Sequence, residues 1–267
     1  MAAADFVLNV QKRLGAISHA GTLLCRLCGT QLDPQVEHSE CCSIAEATKG
    51  HHACVRALLN GIKLADPAAS TEPRSLTTST SRPADILTNA AVPGRSAALD
   101  VCVCVASPNA AAATGGAAES AFRRKLRRYR TEIQELRQAG IVFRPMVWTA
   151  DGRPHPAATR TLKFAAEMAA SRNSQQASAA SLMIRWKHEI QISILRRRAA
   201  MYRAVLPRPS AFDQWLLTGS ADRSAAGWNL EEAIEEDESP AAWADVTDVD
   251  VGERAEDTDG RVPAASR

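Results

Sequence analysis

Hydrophobic positions along this chain recur with two different rhythms. Phe6, Val7, Val10 and Leu14 fall at helical spacing and predict a short amphipathic helix within residues 1–20. The run HHACVRALLNGI, residues 51–62, carries Cys54, Val55, Leu58, Leu59 and Ile62 on one helical face. The rhythm then changes. Arg82–Leu87 reads as a short strand opening and Pro93-Gly94 as a turn. Ala98–Val105, with its β-branched run, is the clearest strand in the chain. Helical spacing returns at Ala118, Phe122, Leu126, Tyr129, Ile133 and Leu136, with Gly140 as the C-cap. Ile141–Trp148 predicts another strand, Asp151-Gly152 a turn, and Ala157–Ala170 an alanine-rich helix. Leu182, Met183, Trp186, Ile190 and Ile194 form the apolar face of a last helix over residues 180–206. The order from residue 51 is helix, strand, strand, helix, strand, helix. That order predicts an α/β (α+β) core over residues 51–172, with a Pro/Ser/Thr-rich connection at 63–80 between its first helix and first strand.

Composition limits that core. Of the 267 residues 45% are hydrophobic but only 4% are aromatic, and much of the apolar content is alanine. No run approaches the ~20 apolar residues of a membrane span, and the N-terminus lacks the pattern of a signal peptide, so no membrane partner is expected. The net charge of +2 conceals an asymmetry. Residues 229–267 hold 13 acidic and 3 basic side chains, leaving a strongly basic body before them. Residues 207–267 therefore read as a linker and a disordered acidic tail. A basic body suits a polyanion partner, although charge runs are also ordinary solvated faces.

The cysteines change the picture further. Seven is an odd number, two of them form a CxxC pair, and nothing suggests secretion, so metal use is favoured over disulfides. Cys25 and Cys28, followed by Gly29, His38 and Cys42, make the ligand set of a Cys3His zinc site within residues 21–50. His38 and Cys42 are four apart and share one helical side. Cys41, three from His38, is the alternative fourth ligand. So small a segment takes its fold from Zn2+.

Two carboxylates are the next candidates. Asp85 opens one strand and Asp100 lies in the next, so a hairpin would bring them together. Paired carboxylates suit Mg2+, a hard cation that also binds substrate phosphates. Taken alone, two Asp at strand ends are more simply caps and turns.

In order, the elements CRLCG with His38 and Cys42, GHHACVRALL, EP, RPADIL, ALDVCV, RKLRRY and GIVFRPMVW decide between these readings. This set, covering about 150 residues, resembles the C-terminal region of non-LTR retrotransposon polyproteins of the kind abundant in dinoflagellate genomes. There a zinc knuckle precedes a restriction-like endonuclease of the PD-(D/E)xK fold, downstream of the reverse transcriptase. The resemblance implies Asp85 and Asp100 as Mg2+ ligands, Lys125 as a catalytic lysine moved onto the following helix, and Glu72 as an accessory acid. It implies a DNA endonuclease of the nucleus that nicks target DNA, here without the reverse transcriptase part. DNA is then the partner, with element RNA a further candidate, and no small-molecule cofactor is expected. Two departures count against activity. Cys102 stands at the usual lysine position, and Ala84 separates Pro83 from Asp85. A zinc-dependent nucleic-acid-binding remnant that has lost catalysis is the alternative, and a plain interaction protein is a third.

The basic clusters supply the surface such a partner needs. Arg123, Arg124, Arg127 and Arg128 surround Lys125, whose simpler reading is one more solvated cation. Arg196, Arg197 and Arg198 lie on the last helix. Such groups neutralise phosphates without reading sequence. His51, His52, His155 and His188 carry no constellation at this level.

Overall fold

A computed structural model describes residues 1–14, 23–33, 37–79, 82–105, 116–172 and 177–206. The chain divides into Met1–Ala221 and Asp222–Arg267. The expected acidic tail, like residues 15–20 and the side chain of Cys41, lies outside the described residues.

In chain order the elements are α1 (Ala3–Arg13), α2 (Ser39–Cys42), α3 (Ile44–Ala65), β1 (Ser70–Thr71), β2 (Ile86–Val92), β3 (Arg95–Cys104), α4 (Gly116–Arg128), α5 (Arg130–Gln138), β4 (Val142–Thr149), α6 (Pro156–Arg172) and α7 (Ala179–Val205). The fold is mixed α/β, as expected. Its four strands run in the order β1-β2-β3-β4, with β1–β2 and β2–β3 antiparallel and β3–β4 parallel. Val92 pairs with Arg95 across Pro93-Gly94, and Gly94 takes φ 65°, a left-handed value that glycine adopts after the fixed φ of proline without strain. The parallel pair needs a crossover, which α4 and α5 supply.

Alternation along β3 and β4 assigns the two faces of the sheet. Leu99, Val101, Met146 and Trp148 point to one side, where they pack with Leu58 and Ile62 of α3, Leu162 of α6 and Trp186 and Ile190 of α7. Ala98 and Phe143 point to the other, against Tyr129 and Leu136. Cys104 and Val147 do the same with Ala117 and Ala121 of α4. The alanines of α6 explain how a chain poor in aromatics fills its core: Ala158, Ala165, Ala166 and Ala169 are buried and let the helix lie close to the sheet. A buried carboxylate, Asp66, ties the end of α3 to β2. It accepts from Thr88 Oγ1 at 2.8 Å, from the Asn89 amide at 2.7 Å and from the Ala68 amide at 3.1 Å.

Several expectations need correction. Helix α3 begins seven residues earlier than the pattern from residue 51 suggested, because His38 to Ser43 fold as α2 and lead straight into it. The connection at 63–80 contributes β1. The single helix expected over 118–136 is interrupted at Tyr129 (φ −102°, ψ 25°), although the amide of Tyr129 bonds Lys125 O and that of Ile133 bonds Tyr129 O.

Helix α1 forms as expected, but Phe6, Val10 and Leu14 are exposed; it docks on α7 through Leu8, which packs on the cluster of Cys25, Leu32, Tyr202 and Val205, and through polar contacts. Asn9 donates to Leu195 O at 2.9 Å, Asp5 pairs with Arg203 at 2.6 Å, and Lys12 lies 5.3 Å from the Tyr202 ring centroid. The facing side of α7 offers a carbonyl, a guanidinium and an aromatic face, which suit polar partners beside Leu8.

Packing of α3 on α7 depends on one small residue. A Cβ built on Gly61 would stand 2.8 Å from the Trp186 ring, and Trp186 is fully buried. Gly61→Ala should therefore lower stability by about 1–3 kcal/mol through overpacking. Chemical denaturation checks this; an unchanged midpoint would mean that α7 does not seat on α3 this closely.

Candidate functional site

Two clusters of functional side chains emerge, one at the start of the chain and one at the edge of the sheet. In the first, Leu24 and Gln31 bridge a short hairpin whose tip carries Cys25 and Cys28. The amide of Gly29 bonds Cys25 O, that of Cys25 bonds Thr30 O, and Gly29 takes φ 74° to close the turn. Asp33 accepts from the amides of Glu37 and His38 at 2.9 and 3.0 Å and so starts the turn that leads into α2. Across the cluster, Cys25 Sγ and Cys42 Sγ are 3.8 Å apart, and Cys28 Sγ lies 3.1 Å from His38 Nε2. All four ligand atoms fall within 4.8 Å of one another.

Two thiolates on one tetrahedral Zn2+ stand about 3.8 Å apart, far from the ~2 Å of a disulfide. The group fits a metal and is compatible with structural zinc. Among the described residues the fourth ligand is Cys42; the side chain of the adjacent Cys41 lies outside them. The knuckle is also anchored. Cys25 and Leu32 pack against Tyr202 and Val205 at the end of α7, and the Arg26 amide bonds Val205 O at 3.0 Å.

The second cluster forms where β2 begins. Asp85 immediately precedes the strand, and its amide already bonds Leu99 O at 2.8 Å. Its carboxylate replaces the next rung of the ladder: Oδ2 accepts from the Val101 amide at 2.7 Å. Oδ1 faces His51 Nε2 on α3 at 3.1 Å. Asp100, in β3, meets Lys125 of α4, whose Nζ lies 2.9 Å from Oδ2 and hydrogen-bonds Oδ1 at 3.1 Å. Oδ2 is thereby left buried with no aligned donor.

Burial pushes the Asp100 carboxyl up to about 6, a rise that the Lys125 charge opposes. Burial lowers the Lys125 pKa, but the attraction of Asp100 outweighs it and the net shift is upward. The His51 imidazole is also raised, chiefly by its hydrogen bond to Asp85. Two acids and two potential cations thus share one corner.

Not every expected residue joins them. Glu72 is bonded through its amide to Asp85 O at 2.8 Å, but its carboxylate pairs with the exposed Arg82 at 3.3 Å. Cys102, at the usual lysine position, points toward α4 beside Phe122. On α4, Arg123, Arg124, Arg127 and Arg128 are exposed around Lys125. On α7 the three arginines differ. Arg196 is exposed, Arg197 pairs with Glu46 at 2.8 Å, and Arg198 pairs with Glu40 at 2.9 Å and with Asp151. His51, which carried no constellation in the sequence, is the functional residue that sequence reasoning missed. Its only signal was a place on the polar flank of an otherwise apolar helix.

Beyond Leu99 no residue of β2 pairs with β3, so the end of β3 has an open edge on that side. A cleft of about 310 Å3 lies along it, between α3, α4 and α7. Val101, Val103 and Val105 form one wall and Met201 part of another, while His51 and Lys125 stand at its boundary with the two acids. Comparison with protein-family models, curated proteins and solved structures gives no match.

Lys125→Met leaves the Asp100 charge buried without its cation, so the Asp100 pKa should rise further above 6. An acid raised on folding binds protons more readily when folded, so the extra cost is present above that pKa and relieved as pH falls below it. The variant should lose about 3 kcal/mol at pH 8 and clearly less at pH 5. Thermal melts at the two pH values check this, and an equal loss at both would remove the charge argument.

Proposed function

We propose that this chain is a metal-dependent DNA endonuclease with a PD-(D/E)xK core, derived from a non-LTR retrotransposon and acting on target DNA in the nucleus. The observation that carries the reading is the Asp85–Asp100–Lys125 corner at the base of the β2–β3 hairpin. An acid at the start of one strand, an acid within its partner and a lysine beside the second form a ligand set and an electrostatic partner for phosphodiester hydrolysis. The order of helix, antiparallel strands, crossover helices, parallel strand and helix agrees with such a core.

Mg2+ fits the donor set. Asp100 Oδ2 is a buried oxygen lacking an aligned donor, and Asp85 Oδ1 is held only by a histidine that can give way. Asp85 and Asp100 would hold the ion, which supplies water activation and charge neutralisation at the phosphate. The protein's own groups do the rest. Lys125 offers a cation to the developing negative charge. The Val101 amide fixes the Asp85 carboxylate in orientation. The exposed arginines of α4 and Arg196 offer phosphate contacts that position the strand without reading sequence. Structural zinc at Cys25, Cys28, His38 and Cys42 anchors the start of the domain on the end of α7.

A second reading has its own support. Cys102 occupies the position where the lysine usually stands, and in the resting corner Asp85 already faces His51 and Asp100 already pairs with Lys125. A zinc-dependent nucleic-acid-binding module without catalysis would keep the same fold.

Purified full-length protein should nick supercoiled plasmid with Mg2+, and Asp100→Ala and Asp85→Ala should each reduce nicking about 100-fold or more. Glu72→Ala should leave most of the rate, since its carboxylate is engaged with Arg82. Absence of nicking with DNA binding intact would move the assignment to the binding module. Zinc content tests the knuckle independently. Metal analysis should find one equivalent of zinc, lost in Cys42→Ser and retained in Cys41→Ser; zinc lost in both, or in neither, would refute this ligand set.

A further inference from the structure

We propose that the cleft along the open edge of β3 holds a single unpaired nucleotide of the DNA, so that the preferred substrate has bases out of the duplex beside the cleavage point. The inference rests on the nuclease reading and concerns the substrate class of that site. Four observations carry it. The cleft is continuous with the corner of Asp85, Asp100 and Lys125, because His51 and Lys125 belong to both. Its volume of about 310 Å3 sits at the lower end of small-ligand sites, which suits one nucleotide and not a helix.

Its chemistry is divided. Val103, Val105 and Met201 offer an apolar wall for the faces of a base, while Lys125 and His51 stand at its margin where a phosphate would lie; Arg197, Arg198 and Glu40 also line it, with Arg197 committed to Glu46 and Arg198 to Glu40. Lastly, β2 gives β3 no partner beyond Leu99, so the strand edge beside the cleft is open to another donor or acceptor. Apolar walls and nearby polar groups are what a base removed from its stack needs, and the cost of removing it is least where it is already unpaired.

Val103 and Val105 are 37% and 38% exposed, so larger side chains can be placed at either without disturbing the core. The test uses the full chain with Ca2+ in place of Mg2+ and oligonucleotides carrying a fluorescent aminopurine, either fully paired or at one unpaired position in the same sequence. The unpaired form should bind about tenfold tighter, with a change in aminopurine emission that the paired form does not show. Val103→Trp and Val105→Trp should each fill the cleft and remove both the preference and the emission change, while melting as the parent does.

Equal affinity for the two forms in the parent protein would overturn the proposal, as would a preference that survives both tryptophans. Failure of the nuclease reading looks different. Plasmid nicking lost in Asp100→Ala with no preference for unpaired DNA leaves the nuclease and removes the cleft assignment. A preference for unpaired DNA without nicking by the parent protein does the reverse.

Discussion

Asp85 stands where four parts of the chain meet, and most of the candidate site depends on how its hydrogen bonds are distributed. Its amide and carbonyl are engaged by Leu99 O and the Glu72 amide, which fix the start of β2 between its two neighbours. Its carboxylate takes over the next position in the ladder by accepting from Val101, and faces His51 on α3 with the other oxygen. A side chain thus ends the β2–β3 pairing without leaving the Val101 amide orphaned inside the protein. The pairing thus ends with that amide satisfied, and the acid is held near Asp100. An alanine here would free an amide donor in a buried region as well as removing a carboxylate, so stability and chemistry are coupled at this residue.

The corner is also a balance of charge. Asp100 is almost fully buried, a place that a lone carboxylate does not tolerate, and Lys125 compensates from α4, the first helix of the crossover. The lysine is held by packing too, with its ammonium 5.6 Å from the centroid of the Tyr129 ring. That ring is buried and edge-on to Phe143. The distortion of the helix at Tyr129 therefore falls one turn after Lys125, where α4 gives way to α5.

What the sequence made legible follows from how local each signal is. The β3 run was readable because β-branched residues on a doubly covered strand leave an unbroken apolar stretch, and Asp100 stood out within it. The Cys25, Cys28, His38, Cys42 spacing was readable because ligands of one ion lie close along the chain. His51 was not readable: its partner lies 34 positions away, and two adjacent histidines on a helix have no spacing that marks one of them. Nor was the fate of the α7 arginines, since a charge run looks the same whether it faces solvent or Glu40, Glu46 and Asp151. At α1 the apolar residues at helical spacing, Phe6, Val10 and Leu14, stay exposed, and the contact with α7 is made by Leu8 together with Asp5, Asn9 and Lys12, because α7 presents a carbonyl, a guanidinium and an aromatic ring there.

These intramolecular pairs bear on how a nucleic acid would be held. Arg198 is nearly buried and shares Glu40 with Tyr202, whose hydroxyl lies 3.1 Å from that carboxylate. Such a guanidinium joins α2, α7 and the turn at Asp151, and it contributes to a phosphate site only by giving up those partners. Of the two arginine clusters, the one on α4 keeps Arg124, Arg127 and Arg128 exposed while Arg123 pairs with Glu119, and on α7 Arg196 is the exposed member. Phosphate contacts from Arg124, Arg127 and Arg128 would lie on the same helix as the lysine that faces Asp100. The backbone of a bound strand would therefore be positioned by the element that also presents Lys125 to Asp100, and α7 would serve to seat the Cys25–Cys42 group and to wall the cleft.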